Sequence, residues 1–201
     1  MLGFQEIWQN PRLRALTASR SLNNLAYVSW AVALPFLAAA AAGDHVGVFA
    51  NLQASATTLL SIGSILAGAF GSWYFHQRTS MGKMVLLASG LGILSVGLLM
   101  AGVFAEYWIA ISGLTLGIGQ YCFRLSGMIL GQANTPRDRL SPVIIAGDTL
   151  VRFWSFLVTF AVVGCLMQGL HAYVLFLSLG ALAAPALSYP LAALYRSAKS
   201  A

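Results

Sequence analysis

Acidic side chains are nearly absent: Glu6, Asp44, Glu106, Asp138 and Asp148 are the five carboxylates among 201 residues. Charged residues of both signs make up 8% of the chain and apolar residues 59%, with a mean hydropathy of +0.79. A soluble domain carries roughly 25% charged residues. The shortage argues against a soluble domain and points to a polytopic membrane protein with little mass outside the bilayer. Histidine is scarce too. His45, His76 and His171 stand alone, with no pair at metal-binding spacing. No serine lies in a G-x-S-x-G turn, and Gly117-Ile-Gly119 lacks the strand that a nucleotide-binding glycine motif needs before it. An intramembrane serine protease needs a deep Ser and His, but all three histidines fall in turns or loops. The chain therefore reads as no enzyme, with no metal and no cofactor. Its two cysteines, Cys122 and Cys165, fall toward opposite ends of neighbouring helices and are expected as free thiols. A secretory signal is not evident either, because Gln5, Glu6, Gln9, Asn10 and Pro11 interrupt the segment where its apolar core would lie.

What the chain has in abundance is long apolar runs. Six spans are expected, at about Ala15–Ala42, Val46–Phe75, Met84–Phe104, Tyr107–Ala133, Pro142–Met167 and Ala172–Tyr195. Each reaches about 20 residues, enough for a hydrocarbon core of about 30 Å. Residues 1–14 form an interfacial start in which Leu2, Phe4, Ile7 and Trp8 could make one apolar stripe. Residues 15–195 form the transmembrane domain and 196–201 a tail. Pro35 suggests a kink in the first span, and Pro185 and Pro190 bends in the last. Pro142 is well placed to start the fifth span.

The basic residues orient these spans. One side holds Arg12, Arg14, Arg20, Arg78, Lys83, Arg137, Arg139, Arg196 and Lys199. The opposite turns hold Asp44, His45, Glu106 and His171 and no Lys or Arg. Both termini are then cytoplasmic, which for a bacterial protein means the inner membrane. The net charge of +6 is thus a topology signal, and no nucleic-acid partner is expected, because no clustered basic face exists.

Two arginines and one acid lie well inside spans: Arg124, Arg152 and Asp148. On the fourth span Gly113, Gly117, Gln120, Arg124, Gly127 and Gly131 share one face at helical spacing. Glycines four apart let helices approach closely in a membrane, so these four are expected packing positions. An Arg near a helix centre costs on the order of 2.5–3.5 kcal/mol on insertion scales, so a partner or a wet cavity is needed. Asp148 and Arg152 share a face of the fifth span. Counting about 1.5 Å per residue from the turn at Arg137, Arg124 and Asp148 reach similar depth. A cluster of Arg124, Asp148 and Arg152 follows, with one positive charge in excess. It either locks two helices together or forms a cavity wall for a small anionic or zwitterionic solute. In the second case Arg124 and Arg152 bind the solute, and Asp148 is a structural or coupling partner. Gln120 on the fourth span and Asn23, Asn24 and Tyr27 on the first are further binding candidates. Arg20, near its inner end, is expected to snorkel to lipid phosphates.

Several of these segments resemble the major facilitator superfamily of transporters. Asn10-Pro-Arg-Leu-Arg-Ala-Leu-Thr-Ala-Ser-Arg20 leading into an Asn-rich first span is similar to the family's N-terminal half. Gly131-Gln-Ala-Asn-Thr-Pro-Arg-Asp-Arg139 resembles its junction between helices 4 and 5, and Arg124 with Gly127 is similar to its Arg-x-x-x-Gly element, with the Gly three residues on rather than four. Gly71, Arg78, Gly82 and Lys83 resemble the gating loop between helices 2 and 3, although the loop is longer and lacks its acid. The resemblance implies an all-α membrane protein of six transmembrane helices, half of that fold. Full members have two such halves. A six-helix chain is then expected to pair as a homodimer and to move a small-molecule substrate across the lipid bilayer by alternating access. A heterodimeric half and a non-transporting scaffold are the alternatives.

Overall fold

The computed structural model describes residues 2–75, 81–102 and 104–169. Within them the chain is all-helical, with no strand. Its elements are α1 (Leu2–Gln9), α2 (Pro11–Ala42), α3 (Val46–Phe75), α4 (Met81–Ala101), α5 (Tyr107–Ala133), a single 3-10 turn (Arg137–Arg139) and α6 (Leu140–Gln168). The expected last span, the tail at 196–201 and Arg78 lie outside the described residues. Among the described residues, two segments are by length and composition apolar enough to cross a membrane, Val46–Phe70 and Arg137–Cys165. Tyr27–Ala42 and Gly90–Ala101 are shorter apolar stretches.

Local chemistry accounts for the helix ends. α2 starts four residues ahead of the expected Ala15, because Asn10 caps it. The Asn10 side chain accepts from the amides of Arg12 (3.0 Å) and Leu13 (3.4 Å), and Pro11 occupies the first turn, where its missing N–H is harmless. α2 runs on through Pro35 and stops at Gly43, whose φ of 56° a side chain would disfavour. α4 begins at Met81 rather than Met84. Gly82 and Lys83, expected in a gating loop, are therefore in its first turn, and Gly71 is in the last two turns of α3. Pro142 sits inside the first turn of α6, preceded by the 3-10 turn.

α5 is the centre of the bundle. It packs along α3 on one side and α4 on the other, while α2 bridges this trio to α6. Trp30, Ala33, Leu34 and Leu37 of α2 meet Leu52 and Ala56 of α3, Val96 and Leu99 of α4, and Ile109 and Leu116 of α5 in the main core. Trp30 Nε1 donates to Ser112 Oγ there at 2.9 Å, so the indole N–H is satisfied in the dry interior. The bundle half nearest residues 43–46 and 102–107 is thus sealed. Outward, α3 exposes Ile65 and Phe70, and α6 exposes Phe153, Phe156, Phe160 and Met167.

The N-terminal segment departs from its expected form. Gly3 and Ile7 are buried, and Ile7 packs with Leu13, Val143 and Ala146. Leu2, Phe4 and Trp8 stay exposed. Ile7 thus leaves the proposed interfacial stripe and docks α1 onto α6. The Glu6–Arg139 ion pair at 2.5 Å fastens the same contact.

The glycine face of α5 meets two neighbours. A Cβ on Gly113 or Gly117 would collide with the carbonyl oxygens of Ala56 and Leu60 on α3, and one on Gly63 of α3 would collide with that of Leu114 on α5. Helix backbones touch here because no side chain intervenes. Gly127 and Gly131 differ. A Cβ there would rest at ordinary distance, 3.5 Å from Arg20 Cδ and 3.6 Å from Leu16 Cδ2. These two, expected as packing glycines, are not close-approach positions, because the neighbour at that level is α2 and it meets α5 through side chains.

Candidate functional site

Where the α5 face passes from α3 to α2, a cavity of about 830 Å³ opens between α2, α5 and α6. It occupies the bundle half nearest residues 134–139, away from the sealed core. Arg124, Gln120, Asn23, Asn24, Tyr27, Arg152 and Asp148 all line it, as does Arg20. Every binding candidate read from the sequence is therefore brought to one place. Leu13, Leu16, Phe123, Val143 and Val151 supply apolar wall between them.

The polar groups form two tiers. The upper one joins helices. Asn23 Nδ2 donates to Gln120 Oε1 and Gln120 Nε2 donates to the Asn23 carbonyl, both at 3.2 Å. Asn24 Nδ2 donates to Ser155 Oγ, whose hydroxyl donates to the Val151 carbonyl. Adjacent asparagines on α2 thus reach opposite ways, one to α5 and one to α6. Asn23 is 4% exposed, and a polar group that deep must be paired. Asn23, Asn24 and Gln120 are thereby largely committed to each other and to Ser155, so their role as solute ligands is reduced. Tyr27, 38% exposed, has no hydrogen bond among the described residues.

The lower tier is charged, and here the structure corrects the expected cluster. Asp148 pairs with Arg20, Nη2 to Oδ1 at 2.6 Å, rather than with Arg124 or Arg152. Arg20 does not snorkel away. Its chain lies beside Gly127 of α5 and Gly147 of α6, whose missing side chains leave it room. Arg152 shares a helix face with Asp148, but the pair that forms is the one between helices. Arg124 and Arg152 have neither a salt bridge nor a hydrogen bond among the described residues, and both are exposed to the cavity. Counting about 1.5 Å per residue from the amide tier, Arg20 on α2, Arg124 on α5 and Arg152 on α6 all lie about 5–6 Å below it. Three guanidiniums and one carboxylate leave two positive charges in excess, where the expected cluster left one. Arg20 shares helical spacing with Asn23 and Asn24, but its expected role at the lipid phosphates is replaced by the ion pair.

The Arg20–Asp148 pair is part-solvated, with side chains 25% and 50% exposed. Its stability contribution is accordingly modest. Asp148→Asn should cost about 1 kcal/mol, at the low end for a broken charged hydrogen bond because solvent screens it. The Arg20→Gln/Asp148→Asn double variant should recover part of that loss. A double-mutant cycle by chemical denaturation in detergent checks the coupling. Additive losses would mean the two side chains do not interact.

Cys122 and Cys165 are free thiols, as expected. The site as a whole is a cationic cavity inside an apolar helical bundle, walled by three helices and braced by amide clamps. Comparison with protein-family models, curated proteins and solved structures returns no match to this chain.

Proposed function

We propose that this chain is a half-size secondary transporter with the fold of the N-terminal half of the major facilitator superfamily. It crosses a bacterial inner membrane six times with both termini in the cytoplasm, and two copies assemble about a two-fold axis. Alternating access then moves a small anionic or zwitterionic solute. The cavity between α2, α5 and α6 carries this reading. An apolar bundle gains nothing from two guanidiniums that have no partner among the described residues unless something binds them. The apolar belts on α3 and α6 suit contact with lipid. The one-sided basic residues suit the orientation, and in that orientation the cavity opens toward the cytoplasm and the sealed core faces outward. Arg124, Asp148 and Arg152 are exposed on one copy, and a second copy is the simplest cover for them.

The amide clamps favour a second reading, because they show polar residues serving assembly alone. On that reading the chain is a membrane scaffold or assembly subunit that moves nothing. Reconstitution separates the two. Purified protein in liposomes should accumulate an anionic solute from a broad panel, and a cysteine placed at residue 44 should react from outside while one at 138 reacts from inside. No uptake across the panel supports the scaffold. Labelling at 138 from outside only overturns the orientation.

A further inference from the structure

The solute class follows from carboxylate accounting, on the assumption that the cavity is the transport site proposed above. The chain contains five acidic side chains, and all five lie in described residues. Glu6 is engaged by Arg139 at 2.5 Å, and Asp138 lies 3.8 Å from the same guanidinium. Asp44 and Glu106 sit in turns at the sealed end. Arg124 is 18 residues along α5 from Glu106, roughly 27 Å at the helical rise. Asp148 is held by Arg20 at 2.6 Å. No carboxylate side chain remains for Arg124 or Arg152. A second copy would not change this, since it brings the same five acids and the same commitments. Among the described residues, nothing supplies the two missing negative charges.

We infer that the cavity binds a small organic dianion, a dicarboxylate with its acid groups separated by a short apolar body, one on Arg124 and one on Arg152. Three observations select this form. The excess charge is two, so a monoanion leaves one positive charge uncompensated and a zwitterion, with no net charge, leaves two. The two arginines stand on different helices, α5 and α6, on either side of α2, which suits two separated acids better than one centre. A guanidinium fork meets a carboxylate with two parallel N–H donors, so each site is complete in itself. Finally, Phe123, Val143 and Val151 line the cavity along with the arginines and offer apolar contact to a hydrocarbon linker. Arg20 is held by Asp148 and forms no third site, which is why the ligand carries two charges and not three.

Binding to the full chain in detergent tests this, with succinate, glutarate, butyrate and inorganic phosphate as probes and thermal stabilisation titrated to give Kd. Succinate or glutarate should bind about ten- to a hundredfold more tightly than butyrate, the gain expected from a second charged hydrogen-bonded contact. Arg124→Gln and Arg152→Gln should each bring the dicarboxylate down to the butyrate level. Arg124→Lys and Arg152→Lys keep the charge and lose the fork, so they should recover part of the affinity; they also guard against loss of fold in the Gln variants. Equal affinity for butyrate and succinate overturns the inference, as does an Arg152→Gln variant that binds succinate normally. Tighter binding of phosphate than of either dicarboxylate also overturns it, by placing both charges on one centre. No binding of any probe overturns it as well, while uptake of a different solute would still support the transporter. Tight succinate binding with no uptake of succinate keeps the site and removes the transporter.

Discussion

If the cavity is the transport site proposed above, Arg124→Ala should lower solute uptake by about a hundredfold and leave helix content, yield and assembly unchanged. The size follows from what the side chain does. Arg124 is exposed in the cavity and makes no hydrogen bond or salt bridge among the described residues, so its loss removes no polar tie between those helices. On the proposed function it does remove a guanidinium that would hold the solute. A hydrogen bond to a charged group contributes about 1.5–3 kcal/mol, which is about ten- to 150-fold in affinity, and the second contact weakens when the first no longer positions the ligand. Arg20→Ala differs in kind, since it releases Asp148 and should lower stability as well as uptake. Initial rates in proteoliposomes, with melting temperature measured alongside, separate the two outcomes. An Arg124→Ala variant that transports normally, or that loses only stability, would make Arg124 a structural residue.

The largest stability effect is expected from the contact between α3 and α5. Gly117→Ala places a methyl group against the Leu60 carbonyl, and Gly113→Ala does the same at Ala56. Backbone cannot give way as a side-chain tip can, so the helices must move apart. Overpacking of this kind costs about 1–3 kcal/mol. The two sites are one turn apart on one interface, so the double variant should cost less than the sum, because the first substitution already separates the helices. Gly131→Ala is the control. Its new methyl would rest 3.6 Å from Leu16 Cδ2, and replacing glycine within a helix gains roughly 0.5–1 kcal/mol of propensity. Denaturation midpoints should therefore fall for Gly113→Ala and Gly117→Ala and hold or rise for Gly131→Ala. Equal destabilisation at all three positions would remove the distinction between close contact and open cavity wall.

Particular residues show what was legible in the sequence. The bounds of α3 and α5 were read correctly, because long apolar runs end in polar turns at Gly43-Asp44-His45 and Asn134-Thr-Pro. The gathering of Asn23, Asn24, Gln120, Arg124, Asp148 and Arg152 was legible as well, since a polar residue inside an apolar span is conspicuous and its depth follows from counting. The choice of partner was not. Helical spacing shows which residues share a face but not which helix lies opposite. The glycine face of α5 is one line in sequence, yet α3 covers part of it and α2 another. Asp148 had a same-face candidate in Arg152 and a depth-matched one in Arg124. It is taken by Arg20, 128 residues away in sequence but adjacent across the contact between α2 and α6. Arg20 was misplaced because closeness to a helix end suggests escape to the interface, whereas Gly127 and Gly147 open a path across the cavity. Ile7 was misread for the same reason: its amphipathic spacing fits a lipid interface, and only the position of α6 shows that it packs against protein.

The groove between α2, α5 and α6 is either wet and open to solute or a seam filled by lipid, and reactivity of an introduced thiol decides between them most directly. Only the thiolate reacts with a maleimide, and a thiolate needs water. Met128 lines the cavity and is 48% exposed, while Phe156 on the outward side of α6 is 59% exposed. In native membranes, with Cys122 and Cys165 replaced by serine, Met128→Cys should react with a water-soluble maleimide and be protected by bound solute, and Phe156→Cys should stay unreactive. Unreactive cysteines at both positions, or a Met128→Cys that reacts no faster than Phe156→Cys, would contradict a solute cavity at this site.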